Sequence, residues 1–346
     1  MGEASASQAE QGSGAAARHL RAPSPHSGFV HGAALVSSPG EAVAVAAAYV
    51  EEGLRSGDLS VLACAPETVT AIRRALGVRS REVEEDARVC LVGARAPDAM
   101  AVIRQRVEQA TTTGSGRLRV LAEPLFGSDP RRWREIRRYE AAANTLVDGA
   151  PVTCLCLYDR EHLPAEALET ARHTHPELWT DGVRVGNPEY RDQTAVLRDL
   201  GAVCEPLEAA EPVLVLDGAP ALAVLRGELR RVLGAVVPDG DQRADLFLGV
   251  SEVAANAFRH GRRPISARVW ADGSSVVCAI TDSGTGFSNP LAGFVPAHGD
   301  DLAAGGMGLW LARKLWDSVD LVAGPQGLTV RLATGLVHSG EGRGAA

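Results

Sequence analysis

The stretch TDSGTGF, residues 281–287, directly follows the apolar run VVCAI and therefore stands at the end of a predicted strand. It places an acid, Asp282, ahead of two glycines in alternation, Gly284 and Gly286. A carboxylate can accept a hydrogen bond from an exocyclic amine, and glycines allow the backbone to approach a flat ring. The same residues suit an ordinary turn, so the neighbouring segments must distinguish a ligand-binding loop from a turn.

The helix predicted before the hairpin that includes this strand contains SEVAANAFRHG, residues 251–261, and carries a polar stripe on an otherwise apolar surface. Glu252, Asn256 and His260 are four residues apart, which places their side chains on one helix face. A solvated face would have this pattern too. On a largely buried helix, however, Glu252 and Asn256 fit a carboxylate that acts as a base beside an amide oxygen that binds Mg²⁺.

A second glycine-rich stretch, GGMGLW at residues 305–310, leads directly into a predicted helix. The free backbone N–H groups and the dipole at the start of a helix favour a phosphate. A flexible linker capped by a helix is the alternative for this stretch taken alone.

In their order along the chain, SEVAANAFRHG, DSGTGF and GGMGLWLARKL resemble the N, G1 and G2 boxes of the GHKL ATP-binding fold, and the resemblance covers residues 212–334. It implies an α+β sandwich of the Bergerat type that binds ATP and Mg²⁺. By position, it implies that Glu252 is a catalytic base, that Asn256 binds Mg²⁺ and that Asp282 binds adenine. It further implies that the nucleotide is lined by Gly284, Gly286, Gly306, Met307 and Gly308.

Within the GHKL fold, the sequence is similar to the anti-sigma-factor serine/threonine kinases. A histidine kinase should carry a phosphoacceptor histidine just ahead of the N box, and residues 209–244 contain none. The predicted strand and helix before the N box and the short lid at residues 288–304 also match the anti-sigma-factor branch. This resemblance implies a serine/threonine protein kinase whose partners are a sigma factor and an anti-sigma-factor antagonist.

One position departs from that branch. Ala304 stands where several such kinases carry an arginine that could steady the γ-phosphate, and Arg259, Arg262 and Arg313 are the candidate substitutes. Two alternatives therefore stay open beside the kinase: a nucleotide-dependent binding module without catalysis, and a sensor histidine kinase.

In the N-terminal half, continuously apolar strands alternate with helices, which predicts a mainly parallel sheet covered on both faces. Ser38, Pro39 and Glu41 predict a helix start with a capping box. Residues 87–94, ARVCLVGA, are predicted as one of the strands, and in the C-terminal half a helix is predicted over residues 309–320.

No phosphate-binding GxxxxGK[ST] motif is present in this half. It contains the stretches HGAALVSSPGEAVAVAAAYVEEGLRSGD (31–58), YEAAANTLV (139–147), LCLYDREHLP (155–164) and HTHPEL (173–178). These stretches resemble the MEDS-type sensory domain, a RecA-like α/β fold without a working nucleotide loop, which implies an unknown small ligand or signal. The polar residues in matching positions, each of which is open to a structural or a ligand-binding interpretation, are His31, Tyr139, Glu140, Asn144, Tyr158, Asp159 and His175.

Cys154 and Cys156 are expected on one face of a strand, and His162, His173 and His175 follow them. A metal site is conceivable here, although no zinc-binding spacing is met. The six cysteines are scattered, mostly in apolar runs, which favours reduced thiols in a cytoplasmic protein over a disulfide framework.

The 346 residues carry a formal net charge of −8, which argues against a direct nucleic-acid partner. The first residues lack the apolar core of a signal peptide, and no membrane association is expected. A homodimer is left open. The predicted organisation is a disordered tail (1–27), a sensory domain (28–187), a linker (188–208), an ATP-binding domain (209–335) and a second disordered tail (336–346).

Overall fold

A computed structural model of the chain describes residues 28–180, 183–284, 289–297, 306–324 and 327–338. Both predicted tails, apart from residues 336–338, lie outside these ranges, as do Gly286 and Ala304. No helix in the described ranges is long and apolar enough to cross a membrane.

Strands and helices alternate in the N-terminal part, as predicted. In chain order they are β1 (Val30–Val36), α1 (Pro39–Ser56), β2 (Leu59–Ala63), α2 (Pro66–Leu76), β3 (Glu84–Glu85), α3 (Ala96–Thr111), β4 (Leu118–Ala122), α4 (Pro130–Leu146), β5 (Val152–Asp159), α5 (Ala165–Thr174), β6 (Glu177–Thr180) and β7 (Val183–Gly186). They build one 7-stranded sheet in the order β3-β2-β4-β5-β1-β6-β7. All neighbours are parallel except β6 and β7, which confirms the predicted mainly parallel α/β fold.

Helices cover both faces of this sheet. One apolar core lies under α1 and α2, and a second lies under α3, α4 and α5. Because each central strand buries side chains on both faces, its sequence is continuously apolar. Helix α1 begins where predicted, since the Ser38 hydroxyl accepts from the backbone N–H of Glu41 at 3.2 Å. The Glu41 carboxylate accepts from the backbone N–H of Ser37 at 2.7 Å, so it does not close the predicted capping box on Ser38.

The strand predicted at residues 87–94 is wrong. Residues 87–90 form a 3-10 helix, and the chain then turns at Leu91, which has a φ of 61°. The carbonyl of Val89 accepts a hydrogen bond from the Tyr139 hydroxyl at 2.8 Å, so this segment is attached to α4. Its apolar side chains are buried in the core beneath α3, and a buried apolar run has the same pattern in a turn as in a strand.

The connector predicted at residues 188–208 contains a helix, α6 (Gln193–Ala202). The Asp192 carboxylate caps it by accepting from the backbone N–H of Ala195 at 2.8 Å. Its apolar face packs against Ala141 of α4 through Val196, Leu197 and Leu200. The segment between the two sheets is therefore packed onto the N-terminal domain.

The C-terminal part is a helix-covered antiparallel sheet. In chain order its elements are β8 (Leu214–Leu216), α7 (Leu222–Val236), α8 (Gly240–His260), β9 (Ile265–Ala271), β10 (Ser275–Asp282), α9 (Gly306–Leu315), β11 (Ser318–Gly324) and β12 (Gly327–Gly335). The 5-stranded sheet has the order β11-β12-β10-β9-β8. The three helices share one core with one sheet face, which confirms the predicted α+β sandwich. The helix predicted over residues 309–320 was too long, because Ser318 already pairs in β11.

A buried carboxylate joins the two parts of the molecule. Asp320 on β11 pairs with Arg138 of α4 through Oδ1 and with Arg331 of β12 through Oδ2, the latter at 2.7 Å. All three residues are almost completely buried, at 3, 3 and 5% exposure for Arg138, Asp320 and Arg331. Burial lowers the pKa of Arg138, whereas for Arg331 the neighbouring Asp320 outweighs burial and raises the pKa. Asp320 is thus the shared counter-charge for two buried guanidinium groups.

We expect Asp320→Asn to lower the free energy of unfolding by about 3–5 kcal/mol, because two buried cations lose their common counter-charge. Urea unfolding followed by tryptophan fluorescence measures the change. Asp217→Asn is the matched control, since Asp217 pairs with Arg268 at an exposed surface, and its effect should stay below about 1 kcal/mol. Equal effects of the two substitutions would contradict this account.

Candidate functional site

Asp282 lies at the end of β10, as the sequence predicts, and only 6% of it is exposed. Its Oδ1 accepts from the backbone N–H of Gly284 at 2.7 Å and from that of Arg262 at 3.2 Å. Both hydrogen bonds described for this carboxylate therefore use one oxygen. Residues 281–287 can therefore form a turn and also bind a ligand. Oδ1 of Asp282 stabilises the turn, and Oδ2 takes part in neither of these two hydrogen bonds.

Gly261 provides the space in which Asp282 sits. A Cβ at Gly261 would lie 2.6 Å from the carbonyl oxygen of Ala257 and 2.6 Å from Cγ of Asp282. Its φ of −80° is open to any residue, so close packing rather than backbone conformation requires glycine here. The sequence identifies Gly261 only as a helix stop, since no local pattern reveals that a distant strand end packs on it.

The N and G2 boxes meet where α8 packs against α9. A Cβ at Gly308 would lie 2.8 Å from Nδ2 of Asn256 and 3.3 Å from Cβ of Glu252. Any side chain at this position would fill the space beside the predicted base and the predicted magnesium ligand. Glu252 and Asn256 therefore form one side of a site with Gly308, which lies more than fifty positions from either of them in the sequence.

The predicted site residues gather around the last three turns of α8. Glu252 and Asn256 lie beside Gly308, where α8 packs against α9. Asp282 and Gly284 lie near the C-terminal end of α8. Gly306 begins α9, Met307 follows it with partial exposure, and Gly286 lies outside the described residues.

Glu252 is accessible from solvent. Its side chain is 39% exposed, and one oxygen, Oε1, lies 3.9 Å from the Arg226 guanidinium of α7. A carboxylate in this position can receive a proton from an incoming hydroxyl group and remain close to a cation.

Arg313 is not a substitute for the arginine that Ala304 replaces. Its Nε donates to the carbonyl of Ala292 and its Nη1 to that of Val319, each at 2.9 Å. The guanidinium lies 4.3 Å from the ring centroid of Phe294, and burial lowers its pKa to about 9. Among the three candidates, this leaves the exposed residues Arg259 and Arg262.

A second group of polar residues lies in the core of the N-terminal domain. Glu140 of α4 contacts His31 of β1, with 3.1 Å between Oε2 and Nε2, and His175 lies at 3.6 Å from the same oxygen. Cys154 and Cys156 share a strand face as predicted, with 3.8 Å between their sulfur atoms. Burial opposes a charge on His31, but Cys154 and Glu140 outweigh it and raise the pKa of His31 to about 10.

The other polar residues predicted for this domain either lie away from the buried group around Glu140 or contact it from outside. His162 is exposed and pairs with Asp159 at 2.7 Å, so neither belongs to the buried group. Tyr139 has a structural partner in the Val89 carbonyl. The ring of Tyr158 meets that of His175 edge to face, with 5.5 Å between centroids.

A cavity of about 720 Å³ lies between the two domains rather than at the Asp282 site. Its lining combines the start of α3 and α4 with α9 and β11, including Arg95, Asp98, Arg131, Arg313 and Asp317.

Comparison with known families matches each domain separately. Residues 30–176 match the model of MEDS, the methanogen/methylotroph DcmR sensory domain. Residues 216–334 match the model of the histidine kinase-like ATPase domain. No curated protein matches the chain in sequence.

Among solved structures, the chain is similar to the RsbU and RsbW domains of Rv1364c from Mycobacterium tuberculosis, at 20% identity and a TM-score of 0.27. The match covers 38% of this chain and 34% of that chain. A likeness this weak carries no argument about fold or activity.

We expect Asp282→Ala to lower the free energy of unfolding by about 1–3 kcal/mol, because the backbone N–H groups of Gly284 and Arg262 lose their acceptor. Asp282→Asn keeps a carbonyl oxygen at the Oδ1 position and should be much closer to wild type. Urea unfolding of both variants compares the two values. If Asn and Ala were equally destabilising, the hydrogen bonds to Oδ1 would not be what holds the turn.

Proposed function

We propose, for a chain that carries a MEDS sensory domain followed by a histidine kinase-like ATPase domain, an ATP-dependent regulator of the anti-sigma-factor type. In this proposal the C-terminal domain is a serine/threonine protein kinase under the control of the sensory domain. Its partners are an anti-sigma-factor antagonist, which it phosphorylates, and a sigma factor, which it sequesters. The observation that carries the proposal is the meeting of Glu252, Asn256 and Gly308 between α8 and α9.

The residues at this site fit a nucleotide with a magnesium ion. The absence of a side chain at Gly308 leaves room beside Asn256, whose amide oxygen is of the type that Mg²⁺ binds. The start of α9 at Gly306 presents backbone N–H groups of the kind that bind phosphate. Asp282, through Oδ2, would accept from the adenine amino group. When bound, ATP supplies the phosphoryl group, and Mg²⁺ neutralises charge on its phosphates.

Glu252 is assigned the role of general base. Its partial exposure allows it to take the proton from a serine or threonine hydroxyl of a partner protein. The helix ahead of the N-box helix, α7, contains no histidine, which favours this reaction over that of a sensor histidine kinase.

A binding module without catalysis is the second candidate. Arg313 is buried and bonded to two carbonyl groups, so this cation cannot reach a γ-phosphate without breaking those contacts. If neither Arg259 nor Arg262 replaces it, the domain binds ATP and uses it to change its affinity for a partner.

The contacts between the two domains support control by the sensory domain. Lys314, on the G2-box helix α9, pairs with Asp98 of α3 at 2.8 Å. Leu291, in the segment between the G1 and G2 boxes, packs on the apolar cluster formed by α4 and α6. Val295 of the same segment packs on the core of the sensory domain. The segment that leads to the phosphate side of the site therefore rests on the domain that would receive the signal.

Phosphoryl transfer to a partner tests the catalytic proposal. We expect the wild-type chain with labelled ATP and Mg²⁺ to phosphorylate a serine or threonine of an antagonist protein captured from the native cell extract. Glu252→Gln should lower transfer by about 10²–10⁴-fold with little change in ATP affinity, since it removes only the base. Glu228→Gln, on the exposed face of α7, is the control and should act as wild type.

The outcomes separate the candidates. ATP binding without transfer from the wild-type chain would favour the binding module, and an acid-labile phosphohistidine on the chain itself would favour the histidine kinase.

Asp282→Asn should lower the affinity for ATP by about tenfold or more, because the substitution affects recognition of the adenine amino group. The affinity for GTP should stay weak in both proteins. Equal affinity of the wild-type chain for ATP and GTP would overturn the assigned role of Asp282.

The proposed control by the sensory domain predicts that a substitution outside the ATPase domain weakens ATP binding. Val196→Ala removes a buried contact of α6 in the cluster on which Leu291 packs, and we expect the ATP dissociation constant to rise about 2- to 30-fold. Val215→Ala, at an exposed position of β8 within the ATPase domain, should leave it unchanged. Titration calorimetry measures both, and an unchanged constant in a folded Val196→Ala variant would contradict the coupling.

A further inference from the structure

Four buried side chains with metal-binding atoms meet in the core of the sensory domain, and the proposed kinase function uses none of them. They come from four separate segments: His31 from β1, Glu140 from α4, Cys156 from β5 and His175 from the chain after α5. Each is buried, and His175 is 0% exposed. Burying a carboxylate and two imidazoles in an apolar core is unfavourable unless the groups have strong partners.

The four ligand atoms lie close together, and three of their separations are near those of ligands around one ion. One atom from each side chain lies within 4.8 Å of the other three. Nε2 of His31 lies 3.1 Å from Oε2 of Glu140 and 3.5 Å from Sγ of Cys156, and Nε2 of His175 lies 3.6 Å from the same Oε2. Neighbouring ligands in a tetrahedral zinc site are about 3.3–3.8 Å apart, given metal–ligand bonds of about 2.0–2.3 Å.

The hydrogen bonds of the two histidines direct both Nε2 atoms toward this point. Asn144 donates through Nδ2 to the carbonyls of Thr174 at 2.6 Å and Glu140 at 3.1 Å, so its Oδ1 is the acceptor, 3.1 Å from Nδ1 of His31. Nδ1 of His31 therefore carries a hydrogen.

The same reasoning applies to His175, whose Nδ1 lies 3.2 Å from the carbonyl of Ala171. A carbonyl can only accept, so this Nδ1 also carries a hydrogen. Metal-binding histidines are held in this way, with one ring nitrogen donating to an amide or carbonyl oxygen and the other facing the ion.

One nitrogen of the group lacks a hydrogen-bond partner. Nε2 of His175 is buried and has none among the described residues, and its 3.6 Å separation from Glu140 is too long for a hydrogen bond. A buried polar atom without a partner needs an explanation, and a bound ion is a common one.

We propose that His31, Glu140, Cys156 and His175 bind one divalent transition-metal ion of the zinc class. Two imidazole nitrogens, one carboxylate oxygen and one thiolate sulfur form a mixed donor set that suits Zn²⁺ better than Mg²⁺ or Ca²⁺. Four ligands from the chain complete a tetrahedral shell, which is typical of a closed site that links segments of a fold.

The position of Glu140 connects this site to the ATPase domain. Arg138, two residues earlier on α4, pairs with Asp320 of β11. Residues two apart point to nearly opposite sides of a helix, so α4 lies between the proposed ion and the ATPase domain. The ion would hold α4 from the sensory side.

The full-length protein tests the proposal by metal analysis and metal titration. After removal of metal with a chelator and incubation with Zn²⁺, we expect about one tightly bound zinc ion per chain and a higher melting temperature than in the metal-free protein. Cys156→Ser and His175→Ala should each weaken zinc binding at least tenfold in competition with a chromophoric chelator. Asn144→Ala removes no ligand but should weaken binding by about 10- to 100-fold, because it releases the His31 ring.

Two substitutions control for these variants. Cys204→Ser replaces an exposed cysteine, and His162→Ala replaces an exposed histidine, and both should bind zinc as the wild-type chain does.

Cobalt substitution of the wild-type chain keeps the test valid if a variant does not fold. Co²⁺ in this site should give the strong visible absorption of a tetrahedral ion and a thiolate-to-cobalt charge-transfer band, which depends on the Cys156 sulfur. Failure to bind Zn²⁺ or Co²⁺, with equal melting temperatures in the presence and absence of zinc, would overturn the proposal. The group would then be a buried proton-sharing pair of His31 and Glu140. A bound cobalt ion without a charge-transfer band would also overturn the assigned ligand set.

Discussion

The structure depends on one buried carboxylate. Asp320 stands between Arg138 of the sensory domain and Arg331 of the ATPase sheet, and none of the three is exposed by more than 5%. Arg331 also donates to Glu208 at 2.9 Å and to the carbonyl of Gly201 at 3.0 Å, which attaches the end of α6 to the same point. A buried ion group of this kind is weak evidence for extra stability, but it disfavours separation of the two domains, since separation would take Asp320 away from the buried Arg138.

Helix α4 is one of the elements through which the two domains are in contact. One side of it faces the buried group around Glu140, and another carries Arg138 and the apolar residue Ala141, on which α6 packs. The segment between the G1 and G2 boxes rests on the same cluster through Leu291. A shift of α4 would therefore displace the contacts of Leu291, in the segment between the G1 and G2 boxes, without a chain of intermediate residues.

Much of this could be predicted from the sequence because the signals are local. The boxes around Glu252, Asp282 and Gly308 lie at a helix, a strand end and a helix start, and the structure has those elements there. The strand predicted at residues 87–94 failed because an apolar run is buried equally well in a turn. Helix α6 was missed because its apolar face is short and is completed only by Ala141 of α4.

The sequence by itself determined most of the succession of elements and the two domain types, because periodicity and glycine placement depend only on near neighbours along the chain. Only the tertiary structure decided what those residues do to one another. It revealed that Gly261 makes room for Asp282, that Arg313 is committed to two carbonyl groups, and that His175 rather than His162 joins His31 and Glu140. Apart from Arg313 and Val319, which are 6 positions apart, these pairings join residues 21 to 144 positions apart, so the packing of whole elements, which no local pattern encodes, brings them together.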